Sequence, residues 1–559
     1  KLHVGPSYVL PDEYLISPES HVRNLLIGHK LAEEFGGVQK VGYFPDAFGH
    51  ISQMPQILLG FGIDNFLFMR GMGDEADTLG LEFWWEAPGK NGRITACHLA
   101  GSYSNLRMLG IPWCEQELYP VDYDDVMKIA EDAADHLLKY EDSDILLFNN
   151  GFDHNFAQEN IPELIEYVNE HSERLHLFHS TYADFIREIK KARSHKFKTY
   201  QGEFHSGKTN WILTGTISSR MYLKQANFHS QAALERKTEP LASLAWLLGA
   251  DYPGQFLEYA WKLLLKNHPH DDICGCSVDE VHDDMMNRFT HVNQVADGLT
   301  KEALDVIMSA IHFKDEAEGT PVLVLNTRPS PRGFETSHEL VVPADYFKNG
   351  TPVLEDFRGN PVPALIEPGE EFSEPKFWGD RQMRRIRVTF TAEDVPPFGY
   401  RSYYVKKSTG SLKISNDLKV SSRSVENSHI KININKNGSL NILEKASGFR
   451  LKNAHYFENC ADAGDEYDFS HISGDKPITT RNLKAEVSTS LIGDYKAVAK
   501  ISLQWPLPEN LTQDRKKRSG RKINVPIETE ITLYQNNRRI EFRTTMDNRV
   551  KDHRLRAVF

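Results

Sequence analysis

Two stretches bring together residue types that could do chemistry. The first is residues 42–70, GYFPDAFGHISQMPQILLGFGIDNFLFMR. Asp46 stands at the end of a short apolar run, residues 41–44. Pro45 stops that run from pairing further, because it has no N–H to give. Asp46 is therefore expected just past a strand's C-terminal end, where α/β folds collect catalytic groups. Phe48 and His50 follow at once, residues 54–61 read as a short helix, and residues 63–69 read as the next strand with Arg70 at its end. If the two strands are parallel, Asp46 and Arg70 hold equivalent positions on neighbours. An Arg beside an Asp keeps the carboxylate ionised, which suits a nucleophile or a metal ligand. An ordinary ion pair at a sheet edge reads equally well from spacing alone.

The second stretch is residues 267–282, NHPHDDICGCSVDEVH, between two helical segments. His268, His270, Asp271, Asp272, Cys274, Cys276 and His282 crowd into it. Imidazole and carboxylate are zinc ligands, and neighbouring acids can orient a ring. A metal site, a catalytic dyad and a polar capping loop all remain open here. The Cys274-Gly275-Cys276 triplet has no second cysteine pair, so it argues only weakly for thiolate ligation. Trp211 is either an exposed aromatic platform or a core residue.

These groups need elements to hold them. A helix is expected from Ser20, as N-cap, to about Glu34. Residues 94–99, 145–148 and 175–178 read as strands. Helical stripes run through Val126, Ile129, Ala133 and Leu137, through residues 161–168, and from a Thr181 cap to Ala192. That alternation predicts an α/β domain with a parallel sheet over residues 1–219. Residues 220–318 read as helical: 221–234, 241–248, 256–266 and 278–311. The last carries Val281, Met285, Phe289, Val292, Ala296 and Leu299 at steps of three and four, the pattern of a bundle core. From residue 319 to 559 strands dominate, with turns such as Asn437-Gly438. An antiparallel β-sandwich is expected there. The basic run 515–522 reads as a hairpin loop.

Composition bounds the partners. At 559 residues the chain is too long for one core. A net charge of −13 argues against a nucleic-acid partner, which would want a basic face. No apolar run approaches 18 residues, so no membrane span is expected. Cys97, Cys114, Cys274, Cys276 and Cys460 are few and odd in number, which fits a reducing, cytoplasmic setting. The chain opens on Lys1 with no leader pattern and stops in a strand, so it reads as an internal piece of a longer protein.

The wording of the two stretches resembles the glycoside hydrolase family 38 α-mannosidases, in their bacterial branch. That family's nucleophile motif is an Asp, a small residue or Pro, then Phe-Gly-His, as in Asp46 to His50. Its helical domain carries a His-Asp-x-Ile-x-Gly motif, as in His270 to Gly275. The resemblance implies a parallel, barrel-like α/β catalytic domain, a three-helix bundle and a large β domain. It implies Asp46 as nucleophile and zinc ligand, Phe48 beside the metal, and Arg70 steadying the nucleophile. It implies His270 as a second zinc ligand and Asp271 as a contact to substrate hydroxyls. In Asn149-Asn150-Gly151-Phe152-Asp153-His154, Asp153 matches the general acid/base, although turn loops of this composition often contain an Asp. In Gly464-Asp465-Glu466-Tyr467-Asp468, Tyr467 matches a substrate contact. The family's His-x-His-x-Asp segment, which gives two more ligands, has no counterpart in this sequence.

The expectation is a zinc-dependent retaining exo-α-mannosidase acting on an α-mannoside or a mannose-containing oligosaccharide, with no nucleic-acid or membrane partner and with a homodimer left open. Its acid, Asp153, would need to hold a proton near neutrality. A hydrolase of a small or phosphorylated mannoside, such as a mannosylglycerate, is the alternative within the class. A non-catalytic carbohydrate-binding protein on the same scaffold and a deacetylase-like metal hydrolase lie outside it. Asp46, Asp153 and Arg70 together disfavour the first, and the large β domain disfavours the second.

Overall fold

A computed structural model of the chain describes residues 3–106, 109, 121–140, 143–151, 153, 157–313, 319–346, 348, 350–377, 379–408 and 416–559. Cys114, Phe152 and His154 lie outside them. The chain divides into two compact units, residues 1–304 with 466–468, and residues 305–465 with 469–559.

The first unit opens with α1 (Pro18–Glu34). Its cap is Ser17, not Ser20: Pro18 takes the first helical position, where its missing N–H costs nothing, and the Ser17 side chain accepts from the Ser20 N–H. Then come β1 (Tyr43–Phe44), α2 (Met54–Gly60), β2 (Asn65–Phe68), α3 (Ala76–Leu79), β3 (Glu82–Glu86) and β4 (Arg93–His98). After α4 (Tyr123–Leu138), α5 (Ile161–His171) and α6 (Tyr182–Arg193), β5 (Thr199–Gln201) closes one five-stranded sheet in the order β1-β2-β4-β3-β5.

The sheet is mixed where a parallel one was expected. β1, β2 and β4 are parallel, but β3 runs antiparallel to β4. Only a tight turn joins that pair, with the Ala87 N–H on the Gly92 carbonyl at 2.9 Å, and a parallel crossover needs a dozen residues or more. Residues 145–148 and 175–178 are not strands either. They run without a ladder partner among the described residues. Residues 145–148 are half-buried and still pack, Leu146 and Phe148 beside Leu81, Ala100 and Leu137, and Leu177 is buried while Phe178 is exposed. Burial produced the strand-like pattern there without pairing.

The helical region holds α7 (Met221–Ala233), α8 (Glu239–Leu247), α9 (Gly254–Leu265), α10 (His270–Cys274) and α11 (Asp279–Ser309). Leu223, Trp261, Leu264, Met285, Phe289 and Val292 share its core, and Phe48 packs into the same cluster. Met285, Phe289, Val292, Ala296 and Leu299 of α11 are buried at the spacing the sequence shows, and Val281 is half-buried.

The second unit is antiparallel β. Val425, Ile432 and Leu440 of one sheet pack on Ala499, Ile501 and Ile531 of another. Val324, Tyr403 and Val405 likewise pack on Val342, Ile386 and Phe390. Each pair of faces makes a sandwich. Residues 515–521 of the basic run lie in the loop between strands Lys496–Pro508 and Lys522–Tyr534, and Lys522 opens the second strand. Arg518 is paired there with Asp475 at 2.7 Å and Arg515 with Asp552 at 3.2 Å.

Candidate active site

The site begins with register. Tyr43 lies opposite Leu67 and Phe44 opposite Phe68. Two residues further on, past Pro45, Asp46 meets Arg70. The Arg70 Nε–H donates to Asp46 Oδ1 at 2.5 Å, and its Nη1 donates to the Trp211 carbonyl at 2.7 Å. The guanidinium is thus held from two sides and lies 5.6 Å from the Phe48 ring centre. Trp211 itself is 77% exposed, so it is not a core residue. Gly49 has φ +116, and a Cβ there would stand 2.9 Å from the Phe204 carbonyl oxygen. Only glycine lets the loop after Asp46 take that path.

His270 opens α10 and reaches the same point from the helical region. Its Nδ1 donates to the Leu10 carbonyl at 3.2 Å, which leaves the Nε2 lone pair free. Nε2 lies 3.7 Å from Asp46 Oδ2 and 4.0 Å from Asp271 Oδ1. The ring also meets Phe48 edge-on, with centroids 5.3 Å apart. Burial works against the charge on Asp46. The His270 ring, 3.7 Å away, and the Arg70 guanidinium outweigh it and hold the carboxyl below its ordinary range. Burial likewise pushes the His270 imidazole down, but Asp46 and Asp271 together raise it above its ordinary value.

Asp46, His270, Asp271 and Asp153 line one open cleft of about 1710 Å³, together with Tyr43 and Tyr103. The Tyr103 hydroxyl donates to Asp153 Oδ2 at 2.7 Å. Burial, that bond and the negative charges of Asp46 and Asp153 raise the Tyr103 hydroxyl well above its usual value, so it stays a donor. Phe48 and Arg70 stand beside Asp46. Tyr467 comes from residues 466–468 and is tied by its hydroxyl to the Cys276 carbonyl at 3.3 Å and by its own carbonyl to the Gly215 N–H at 2.7 Å. It is not among the residues lining the cleft.

A zinc ion fits two of these groups. Ligands bound to one tetrahedral zinc at about 2.0–2.2 Å stand within about 3.5 Å of each other. Asp46 Oδ2 and His270 Nε2 are near that separation, and the His270 Nδ1 bond to Leu10 is the outer contact a ligating imidazole needs. Among the described residues no group of three or more His, Cys, Asp or Glu forms a cluster that could hold a metal. Cys274 is buried and Cys276 lies by Asp271; burial pushes both thiols up, against thiolate ligation.

Tyr103, the Leu10 carbonyl and the Glu13 carboxylate escape a reading of motifs. Glu13 left one signal, an acidic pair inside the apolar stretch YVLPDEYLI. Tyr103 left none.

Three family models match the chain in order: the glycosyl hydrolases family 38 N-terminal domain over residues 2–203, the alpha mannosidase middle domain over 212–307, and the glycosyl hydrolases family 38 C-terminal domain over 425–559. A Halalkalibacterium halodurans protein named "Putative mannosylglycerate hydrolase" is 29% identical over all of this chain and 67% of its own length. Alpha-mannosidase 2C1 of Mus musculus is 26% identical over 59% of this chain and 30% of its own. The crystal structure of an alpha-mannosidase from Enterococcus faecalis superposes with a TM-score of 0.87 at 30% identity, covering all of this chain and 66% of that one. The chain thus spans about two thirds of the longest-matching relatives and less of the others. With all three models matched in sequence order, the chain belongs to glycoside hydrolase family 38.

Proposed function

We propose that this chain carries the catalytic centre of a retaining exo-α-mannosidase. The observation that carries the reading is the setting of Asp46. It is hydrogen-bonded by Arg70, faces His270, and shares a cleft with a second carboxyl, Asp153. Relatives named as α-mannosidases support the reaction class.

Asp46 is the nucleophile. Arg70 and His270 keep it ionised and aim its oxygens. It attacks the anomeric carbon and forms a glycosyl-enzyme. Asp153 gives its proton to the leaving oxygen and then takes one from water. The Tyr103 hydroxyl donates to one Asp153 oxygen and so helps orient that carboxyl. Asp271 receives the sugar hydroxyls beside His270, and Phe48 and Arg70 wall the pocket behind Asp46. Tyr467, outside the cleft with its hydroxyl on the Cys276 carbonyl, supports the loop that carries Asp271. Asp46 and His270 would hold a zinc ion, which when bound supplies a Lewis acid and a template for adjacent sugar hydroxyls.

A mannosylglycerate or another small mannoside is the second reading. What favours it is the Halalkalibacterium halodurans relative named "Putative mannosylglycerate hydrolase", which aligns with the whole chain. Parallel assay of a mannobiose and mannosylglycerate separates the two.

Asp46→Ala tests the reaction class. Turnover of an activated aryl α-mannoside should fall by more than about a hundredfold, since a covalent step supplies at least that. A smaller loss would remove Asp46 from the nucleophile's role.

A further inference from the structure

We propose that Glu13 is a positioning residue for Asp46, acting through His50. The proposal rests on the reading of Asp46 as nucleophile and adds a residue to it.

The Glu13 and His50 side chains are both fully buried. Glu13 Oε1 accepts from His50 Nδ1 at 2.8 Å, and Oε2 accepts from the Ile51 N–H at 2.9 Å. Both oxygens therefore grip the loop four and five residues past Asp46. The His50 ring is wedged edge-on against Phe66 at 4.9 Å and Phe68 at 5.1 Å. Its Nε2 has no partner among the described residues. The imidazole thus spends its hydrogen bonding on Glu13 alone.

The same short stretch of chain holds the other half of the site. Three residues before Glu13, the Leu10 carbonyl accepts from both the His270 N–H and the His270 ring at 3.2 Å. Between them the Asp12 N–H donates to the His268 carbonyl at 3.2 Å. Residues 10–13 are a rail with the His270 loop on one end and the Asp46 loop on the other. Leu10 sets where Nε2 points, and Glu13 sets where the loop that presents Oδ2 lies.

A buried carboxylate is an expensive way to anchor a loop, because apolar packing anchors as well without the desolvation cost. It is suited to directional aim: two donors at fixed angles on one carboxylate leave the loop little freedom. A misplacement of about 1 Å in a reacting group can cost about a hundredfold in rate.

The test uses the full-length protein and an activated aryl α-mannoside. Glu13→Gln keeps shape and volume but turns one acceptor into a donor facing another donor. The expected result is a kcat lowered about ten- to a hundredfold per folded molecule, with KM within about threefold. A purely structural role would lower the melting temperature and leave kcat per folded molecule intact, and that result overturns the proposal. If Glu13→Gln does not fold, two His50 variants decide. The amide Nδ2 of His50→Asn can stand where the imidazole Nδ1 stood, so it should recover most of the kcat that His50→Ala loses. Equal kcat in the two overturns the proposal. Asp46→Ala in the same assay separates the layers. If it stays active, the nucleophile reading fails and takes this one with it; if it is dead while Glu13→Gln is fully active, only the positioning role fails.

Discussion

Arg70 Nε and Asp46 Oδ1 are 2.5 Å apart, across the ends of two parallel strands whose register sets the residues opposite each other. This bond has a specific geometry. The Nε–H faces the carboxylate while Nη1 is spent on the Trp211 carbonyl, so the planar group bridges two fixed points. A lysine keeps the charge but cannot span both. A hydrogen bond to a charged group is worth roughly 1.5–3 kcal/mol, about ten- to a hundredfold in rate. Arg70→Lys is therefore expected to lower kcat by about that factor on an aryl α-mannoside. Steady-state kinetics check it, and an unchanged kcat would mean that charge alone is enough.

Asp153 is assigned to proton transfer, and that makes a prediction about leaving groups. A general acid contributes about 10²–10⁴ when the departing oxygen needs its proton. A nitrophenolate needs little help, and an alkoxide needs much. Asp153→Asn should therefore cost an alkyl or disaccharide mannoside far more kcat/KM than it costs a nitrophenyl mannoside. Equal losses on the two substrates would take Asp153 out of the acid's role.

The parts of this site that could be read beforehand were those with a local cause. Pro45 had to end β1, and a strand had to precede Arg70, so the Asp46–Arg70 pairing followed from spacing once the strands were parallel. The helices at α5, α6 and α11 followed from their apolar stripes and, at α6, from the Thr181 cap. What could not be read depended on distant chain. Residues 145–148 have the apolar pattern of a strand, but pairing needs a neighbour that no local pattern specifies. The turn between β3 and β4 is local, yet Glu82–Glu86 alternates too little to mark it as a strand of its own. Glu13 finds His50 across 37 positions, and Tyr103 finds Asp153 across 50. Neither contact leaves a periodicity.

The Asp46–His270 contact makes stability depend on pH in a defined direction. Asp46 is held below its ordinary 3.8 and His270 above its ordinary 6.5. The Asp46 share of stability is complete above 3.8 and is lost as pH falls through the lower folded value. The His270 share is complete below 6.5 and is lost as pH rises through the raised folded value. With chelator present, the pair therefore supports the fold fully between 3.8 and 6.5 and less on either side. Zinc reverses the upper limb, because a ligating imidazole must be unprotonated and the proton competes with the metal. The melting-temperature increment from zinc should grow with pH from about 5 to about 8. Thermal melts across that range, with chelator and with zinc, check both limbs. An increment that does not change with pH would exclude a histidine ligand.

The metal itself is the last prediction. A catalytic zinc takes three protein ligands and keeps an open position. Asp46 and His270 offer two that converge, and Asp271 Oδ1 lies 4.0 Å from the same nitrogen but is half-committed to Cys276, whose thiol reaches it at 3.4 Å. Two ligands on a rigid frame bind zinc far more weakly than the three or four of a complete site, so the 559-residue chain is expected to bind with about micromolar Kd or weaker. His270→Ala should abolish even that. It should do so at little structural cost, because the ring sits on a short helix at the cleft and its loss breaks one side-chain bond, that to the Leu10 carbonyl. The melting temperature in chelator should move by a few degrees at most. Isothermal titration of both chains with zinc reads the two quantities directly. A nanomolar site that survives His270→Ala would place the metal on other residues and leave His270 only as a charged neighbour of Asp46.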